Sequence, residues 1–221
     1  MHGNGGSIAD FRLQIPFFEK KYRVILADSR AQGKSKDPSD SLSFDMMSDD
    51  MNALLDSLHL DSCDVIGWSD GGIDALLLAF RHPDKVRKLA VTGANLWPDT
   101  TSVDPVVYHY MTGLYDSMRN GARTPDSKNE LKVFHLLALT PLTVEQLHRI
   151  KCPALIIGGD HDVILPRHTL LIAGAIDNAY LWILPGAGHS IPVDHSDEFN
   201  TVVSDFFDRP FKTIQGLDRF N

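Results

Sequence analysis

The sequence lacks any long apolar run and any excess of basic residues. None of its 221 residues lies in an apolar run near the roughly 20 residues that a membrane-spanning helix needs. Lys and Arg number 21 against 29 Asp and Glu, which gives a formal net charge of −8. This charge argues against nucleic acid or an anionic membrane surface as the main partner. A small-molecule ligand is therefore expected, and the oligomeric state stays open.

Cysteine is equally scarce. Cys63 and Cys152 both lie in apolar stretches, where they are interpreted as small buried hydrophobic residues rather than as a disulfide framework. The first six residues have neither the basic stretch nor the apolar stretch of a signal peptide. A reduced, cytoplasmic protein is expected.

Motifs for nucleotides and metals are also missing. Gly33-Lys34-Ser35 resembles the end of a phosphate-binding loop, but the glycine required five residues earlier is Asp28. Asp160-His161-Asp162 offers metal-ligand side chains, yet adjacent residues after a strand rarely converge on one ion. We predict no cofactor and no metal.

The apolar pattern that is present predicts one α/β domain over residues 1–221. Short apolar runs predict strands at 22–28, 63–67, 86–94, 152–158 and 180–184, with helical spacing between most of them. Such alternation is typical of a doubly wound, mostly parallel sheet. Residues 96–150 show helical segments without strands, which predicts a small helical cap or lid beside a core of residues 1–95 and 151–207.

Gly67-x-Ser69-x-Gly71 is the most informative motif, because it is the signature of a nucleophile elbow. A serine hydroxyl attacks well only when a strained turn lifts it clear of the backbone, and glycines make room for that turn. The motif follows a predicted strand and precedes an apolar helical segment, as the elbow requires. Ser69 is the predicted nucleophile, with an inert elbow serine as the alternative.

A nucleophilic serine needs a base, and the base needs an orienting acid. Ligand chemistry in this sheet type gathers at the carboxyl ends of strands, in the chain order serine, acid, histidine. His189 follows the last predicted strand and is the candidate base, with an ordinary loop histidine as the alternative. Asp160 and Asp162 both follow the preceding strand, and position alone leaves the acid open between them.

These motifs together resemble the α/β-hydrolase superfamily, from the first residues to about residue 207. The resemblance is carried by His-Gly-Asn-Gly at 2–5, the Asp-Ser-Arg-Ala-Gln-Gly-Lys-Ser segment at 28–35, the elbow, the Asp-His-Asp-Val-Ile-Leu-Pro segment at 160–166, and Gly-His at 188–189. Gly-Trp-Ser-Asp-Gly-Gly at 67–72, Gly-Ala-Asn at 93–95 and Cys-Pro-Ala-Leu-Ile at 152–156 resemble the biphenyl-hydrolase-like (valacyclovir hydrolase-like) branch.

The resemblance implies roles for particular residues. The family pattern places the acid ahead of the segment that ends in Pro166, which selects Asp162. It places the oxyanion hole at the backbone N–H groups of Asn4 and Asp70, with a flexible, disordered N-terminus as the alternative for the turn that carries Asn4. In the branch, the residue at Asp70 is associated with the amino group of α-amino-acid esters; a carboxylate favoured by a helix N-terminus is the alternative.

The implied activity is hydrolysis of small carboxylic esters or related acyl compounds through an acyl-enzyme, without a cofactor. Trp68 and Trp97 are candidates to line the acyl pocket, with core packing as the alternative. A perhydrolase, haloperoxidase-like or C–C bond hydrolase on the same triad is a second possibility. A catalytically silent binding protein is a third. In the family, the strand that ends at the His2-Gly3 turn is an inner strand of the sheet, between residues 22–28 and the elbow strand. Loss of that strand would leave both of its neighbours without a hydrogen-bonding partner. The N-terminal strands are thus expected to be missing.

Overall fold

The computed structural model describes residues 1–121, 123–214, 216 and 220. Its helices are α1 (Ile15–Phe18), α2 (Phe44–Ser57), α3 (Asp70–Arg81), α4 (Pro105–Gly121), α5 (Pro125–Phe134), α6 (Val144–Leu147), α7 (Pro166–Gly174), α8 (Ile191–Asp194) and α9 (Ser196–Asp208). Its strands are β1 (Cys63–Trp68), β2 (Val86–Thr92), β3 (Ala154–Gly159) and β4 (Ala179–Leu184). No helix formed by the described residues is both long enough and apolar enough to cross a bilayer.

The four strands form one parallel sheet in the order β1-β2-β3-β4. Parallel neighbours need a crossover. Helix α3 supplies it between β1 and β2, and α7 supplies it between β3 and β4. The carboxyl ends of all four strands therefore meet at one edge of the sheet, which is where this class of fold places its ligands.

Alternate residues of the central strands face opposite layers of helices. Val91 and Ile156 belong to the core formed with α2, α3 and α7, whereas Ala90 and Leu155 belong to the core formed with α1, α8 and α9. This period of two follows from the pleat of a strand. Both faces are covered, so the expected doubly wound parallel sheet is confirmed.

One predicted strand is wrong. Residues 22–28 join no strand among the described residues, although most of the segment lacks helix or turn. A cavity of about 340 Å³ separates residues 24–27 from residues 63–66 of β1. A strand requires a neighbouring backbone with which to form hydrogen bonds, and the cavity leaves a gap in the space where that backbone would lie. That gap lies where the resemblance places an inner strand.

The first residue pairs with the end of β1 beside this gap. The Met1 amine donates to the carbonyl of Ile66 at 2.8 Å, and the N–H of Trp68 donates to the carbonyl of Met1 at 3.1 Å. Burial lowers the pKa of the Met1 amine to about 6. The pairing fixes the direction in which the chain enters the turn at residues 2–5, and this turn lies against the elbow.

Residues 96–150 contain α4, α5 and α6. Helix α5 is fastened to the 29–41 loop, since the Lys132 ammonium contacts the Asp37 carboxylate at 2.9 Å and the Asn129 amide donates to the carbonyl of Ala31 at 2.9 Å. Helix α4 has no buried residue, and Val106 is 77% exposed. The interpretation of this segment as a cap within a single domain stays a prediction, and positions 122, 215, 217–219 and 221 lie outside the described residues.

Candidate active site

Ser69 sits at the junction of β1 and α3 in a strained conformation. Its φ of 57° and ψ of −123° are costly for a residue with a side chain. A Cβ atom on Gly67 would lie 2.3 Å from the carbonyl oxygen of Gly71, and one on Gly71 would lie 2.2 Å from that of Met1. Both glycines are therefore required by close backbone contacts, and they leave the serine as the residue presented at the turn.

Three residues that are distant in the chain meet at this turn. The Ser69 hydroxyl lies 3.0 Å from Nε2 of His189, and Nδ1 of His189 lies 2.7 Å from Oδ1 of Asp162. Asp162 is only 5% exposed, and its Oδ1 also accepts the N–H of Ile164 at 3.0 Å. With Nδ1–H donated to the carboxylate, Nε2 is left as the acceptor that faces the hydroxyl.

Asp160, the other candidate acid, points elsewhere. Its Oδ1 accepts the N–H of Gly186 at 2.7 Å and contacts Nδ1 of His161 at 2.7 Å. It makes no contact with His189 among the described residues, so the geometry favours Asp162 as the orienting acid. No group of three acidic, histidine or cysteine side chains within the described ranges is arranged to hold a metal ion.

The turn at residues 2–5 lies directly over Ser69. A Cβ atom on Gly3 would approach the Ser69 Cβ to 3.2 Å and the hydroxyl oxygen to 3.8 Å. Neither the backbone N–H of Asn4 nor that of Asp70 donates to a protein acceptor among the described residues. Both donors are thus available to an oxygen bound beside Ser69, and their role as an oxyanion hole belongs to the proposal below.

A buried histidine holds this turn in place. Nε2 of His2 accepts the N–H of Ser29 at 2.9 Å, and Nδ1 lies 2.9 Å from the carbonyl of Gly3, to which it donates. Burial lowers the pKa of His2, which keeps its imidazole neutral. The N–H of Gly5 donates to the Gln32 side chain at 2.8 Å. Sequence reasoning assigned no role to the side chains of His2 and Gln32, although the His-Gly pair at residues 2–3 marked the position of His2.

Asp70 follows Ser69 in the chain and is 2% exposed. Its Oδ2 accepts a hydrogen bond from Nδ2 of Asn4 at 2.8 Å. Burial raises the pKa of the Asp70 carboxyl to about 6, against the opposing effects of the Asn4 hydrogen bond and of His189. The group is therefore mainly ionised at pH 7, and its Oδ1 has no hydrogen-bond donor among the described residues.

The two candidate tryptophans support the site from outside. Nε1 of Trp68 donates to the backbone carbonyl of His189 at 2.9 Å, which fixes the loop that carries the imidazole. Trp97 packs edge-on against His168 with ring centroids 4.6 Å apart, and its Nε1 donates to Thr101. These contacts give both rings a structural role, and their place in an acyl pocket stays a prediction.

Sequence reasoning missed two further supports. Gly93 has a φ of 66°, and a Cβ atom there would lie 2.7 Å from Cε1 of His189. His168 accepts the N–H of Leu96 on Nε2 at 3.0 Å, and burial lowers its pKa to about 4. The Gly-Ala-Asn segment at 93–95 was a signal for Gly93, whereas no sequence pattern distinguished His168 from the other histidines.

Comparison with known proteins places this geometry among hydrolases. The family model described as the alpha/beta hydrolase fold matches residues 1–143, a range that includes Ser69. Serine hydrolase BPHL of Homo sapiens is 28% identical over 224 residues, covering 91% of this chain and 75% of the relative. The 2-hydroxymuconate semialdehyde hydrolase of Pseudomonas sp. strain CF600 is 29% identical over 240 residues, covering 93% and 84%. A solved meta-cleavage product hydrolase from Pseudomonas fluorescens IP01 matches with a TM-score of 0.77 at 22% identity, covering 94% and 88%.

Proposed function

Because the chain belongs to the α/β-hydrolase fold family, we propose that it is a serine hydrolase of small carboxylic esters or related acyl compounds. The family and the similarity to the biphenyl-hydrolase-like branch are confirmed by the matches to BPHL and to the semialdehyde hydrolase. The observation that carries the proposal is the chain of contacts from the Ser69 hydroxyl through His189 to Asp162, with distances of 3.0 and 2.7 Å.

In the proposed first step, Ser69 attacks the substrate carbonyl while Nε2 of His189 takes the hydroxyl proton. The imidazolium that forms lies beside the Asp162 carboxylate, which stabilises its charge and keeps its orientation. The carbonyl oxygen becomes negative and accepts hydrogen bonds from the N–H groups of Asn4 and Asp70. Loss of one such donor typically costs about 10²–10³ in rate.

The second half of the reaction reverses these proton movements. His189 donates its proton to the departing alcohol, which leaves an acyl group on Ser69. A water molecule then enters, His189 takes one of its protons, and the resulting hydroxide attacks the acyl carbon. Collapse of the second tetrahedral intermediate releases the acid and returns the proton to Ser69. Every step uses side chains and backbone N–H groups of this protein, and water.

Asp70 supports a narrower substrate class. An ionised, buried carboxylate with one oxygen free of protein donors favours a substrate that brings a positive group or an N–H donor to it. An α-amino-acid ester has such a group on the carbon next to the scissile carbonyl, two bonds from the carbonyl carbon. We therefore expect valine and phenylalanine esters to be hydrolysed faster than their N-acetylated forms. Equal rates for each pair would remove the ionic role of Asp70.

Cleavage of a C–C bond is a second candidate, favoured by the similarity to the semialdehyde hydrolase and to the meta-cleavage product hydrolase. The same three residues would serve both reactions, so the test is a substrate panel rather than a variant. Hydrolysis of a 2-hydroxymuconate semialdehyde without hydrolysis of any ester would replace the proposed function. The reverse result would support it.

The direct test is a pre-steady-state measurement with p-nitrophenyl acetate. An acyl-enzyme predicts a burst of p-nitrophenol followed by slower turnover, and Ser69→Ala should abolish both phases. A folded wild-type protein without a burst and without turnover would favour the alternative of a silent binding protein. Turnover that persists in Ser69→Ala would exclude Ser69 as the nucleophile.

A further inference from the structure

We propose that the Asn4 side chain is a positioning group that holds the two oxyanion donors at a fixed separation and connects them to helix α5. The inference rests on the proposed function, because it concerns the two N–H groups that the reaction would use. It goes beyond that function by assigning the side-chain amide of Asn4 a role separate from that of its backbone.

The amide of Asn4 contacts two separate parts of the fold. Its Nδ2 donates to Oδ2 of Asp70 at 2.8 Å and to the backbone carbonyl of Val133 at 2.8 Å. Asn4 and Asp70 are the proposed oxyanion donors, and their backbone N–H groups have no protein acceptor among the described residues. One NH₂ group thus connects the 2–5 turn to the first residue of α3 and to the last turn of α5.

Burial makes these two hydrogen bonds difficult to replace with water. Asp70 is 2% exposed and Val133 is 5% exposed. A hydrogen bond to a charged group is stronger than a neutral one in such surroundings, and a buried acceptor left without a donor is costly. The separation between the two backbone donors is therefore set by a contact between their own side chains.

The contact with α5 adds a second consequence. Helix α5 is also held by the side chain of Val133, which belongs to the buried core, and by Lys132 and Asn129, which contact the 29–41 loop. Among the described hydrogen bonds, only the one from the Asn4 amide to the carbonyl of Val133 connects this helix to the turn at residues 2–5. A shift of α5 would therefore move the donor at Asn4 relative to Ser69.

Charge provides a readout that packing alone would not change. The titratable group that acts on the pKa of Asp70 is His189, from the loop after β4, and Asp70 in turn raises the pKa of the buried Asp74 on the same helix. The Asn4 amide favours the ionised carboxylate, so its removal should raise the pKa of Asp70 further above its ordinary value. If the rate depends on ionised Asp70, the rate of a variant without the Asn4 amide should fall at a higher pH than that of the wild type as the pH is lowered.

Asn4→Ala tests the proposal, because alanine keeps the backbone N–H and removes only the amide. We expect kcat for p-nitrophenyl acetate to fall about 10-fold, less than for loss of a donor outright, with KM changed by less than threefold. For a valine ester, the acidic limb of the kcat/KM profile should move upward by about half a pH unit or more. Asn4→Asp keeps the shape but places a second carboxyl group beside Asp70, so it should lower kcat at least as much as Asn4→Ala.

Asn178→Ala is the matched control. It removes an amide donation of 3.1 Å to the backbone carbonyl of Lys151, at the amino ends of β3 and β4 and away from both α5 and the turn at residues 2–5. Wild-type kcat and pH profile in this variant, with both altered in Asn4→Ala, would support the proposal. Unchanged kcat and profile in folded Asn4→Ala, or equal losses in both variants, would overturn it. Absence of turnover in the wild type itself would instead refute the proposed function, and the positioning role with it.

Discussion

Replacement of Gly93 by alanine is the most specific structural test of the catalytic geometry. Gly93 follows β2 with a φ of 66°, and its missing side chain leaves room for the His189 imidazole. A Cβ atom would lie 2.7 Å from Cε1 and 2.9 Å from Nδ1 of that ring. The substitution therefore acts on His189, the proposed base, without changing any group that takes part in the proposed reaction.

The size of the effect follows from these distances. Ordinary carbon contacts begin near 3.4 Å, so the ring must retreat from 2.7 Å by about 0.7 Å. A retreat of that size would lengthen the 3.0 Å contact between His189 and Ser69 beyond hydrogen-bond range. Misplacement of a catalytic group by about 1 Å can cost about 10²-fold in rate. The left-handed backbone adds about 1 kcal/mol of lost stability.

The assay compares Gly93→Ala with Gly186→Ala. Gly186 has a φ of 71°, lies in the loop just before His189, and has open space where a Cβ atom would be placed. Both variants should lose about 1 kcal/mol of unfolding free energy in urea from the left-handed backbone, and Gly93→Ala should lose more because its Cβ overlaps His189. Only Gly93→Ala should lose about 10²-fold in the rate of labelling by a fluorophosphonate. Equal labelling rates in the two variants would refute the argument from ring displacement.

Three further predictions concern the acid, the α5 attachment and the gap beside β1. Asp162→Asn should lower kcat by about 10³–10⁴ with little change in Tm, whereas Asp160→Asn should stay within tenfold. Burial raises the pKa of Asp37, but its hydrogen bonds, chiefly that from Lys132, outweigh burial and lower the pKa to about 2. Stability from this pair should thus be present above about pH 4 and disappear as the pH falls towards 2; Lys132→Met should cost roughly 3 kcal/mol at pH 7 in urea unfolding, and much less at pH 2. Fusing six alternating Val and Thr residues ahead of Met1 should raise Tm and labelling rate relative to a Gly/Ser extension of equal length, because a strand can then fill the gap.

The parallel sheet and the elbow could be predicted because both depend on local pattern. A buried parallel strand is a short apolar run, and the chemistry of the fold lies just past its carboxyl end. Ser69, Asp162 and His189 each follow such a run, so their proximity in the fold could be predicted from the sequence pattern alone. The choice of Asp162 over Asp160 needed the family resemblance, because the two residues have the same type and almost the same position.

Residues 22–28 were mispredicted for a physical reason. Their apolar character suits a strand, but a ladder is a property of two backbones, and the described residues supply no neighbour beside them. The supports of the site were missed for a related reason. Asn4 contacts residues that are 66 and 129 positions away, and His168 contacts one that is 72 positions away. No periodicity connects such pairs.

The central claim is that Ser69 is a nucleophile activated by His189 and Asp162 beneath two backbone donors. Mass spectrometry of the protein after treatment with a fluorophosphonate tests it most directly. We predict one adduct per chain on the peptide that contains Ser69, with no adduct on Ser69→Ala and much slower labelling of a His189→Ala variant. A folded wild-type protein that stays unlabelled, or one labelled at another residue, would contradict the account.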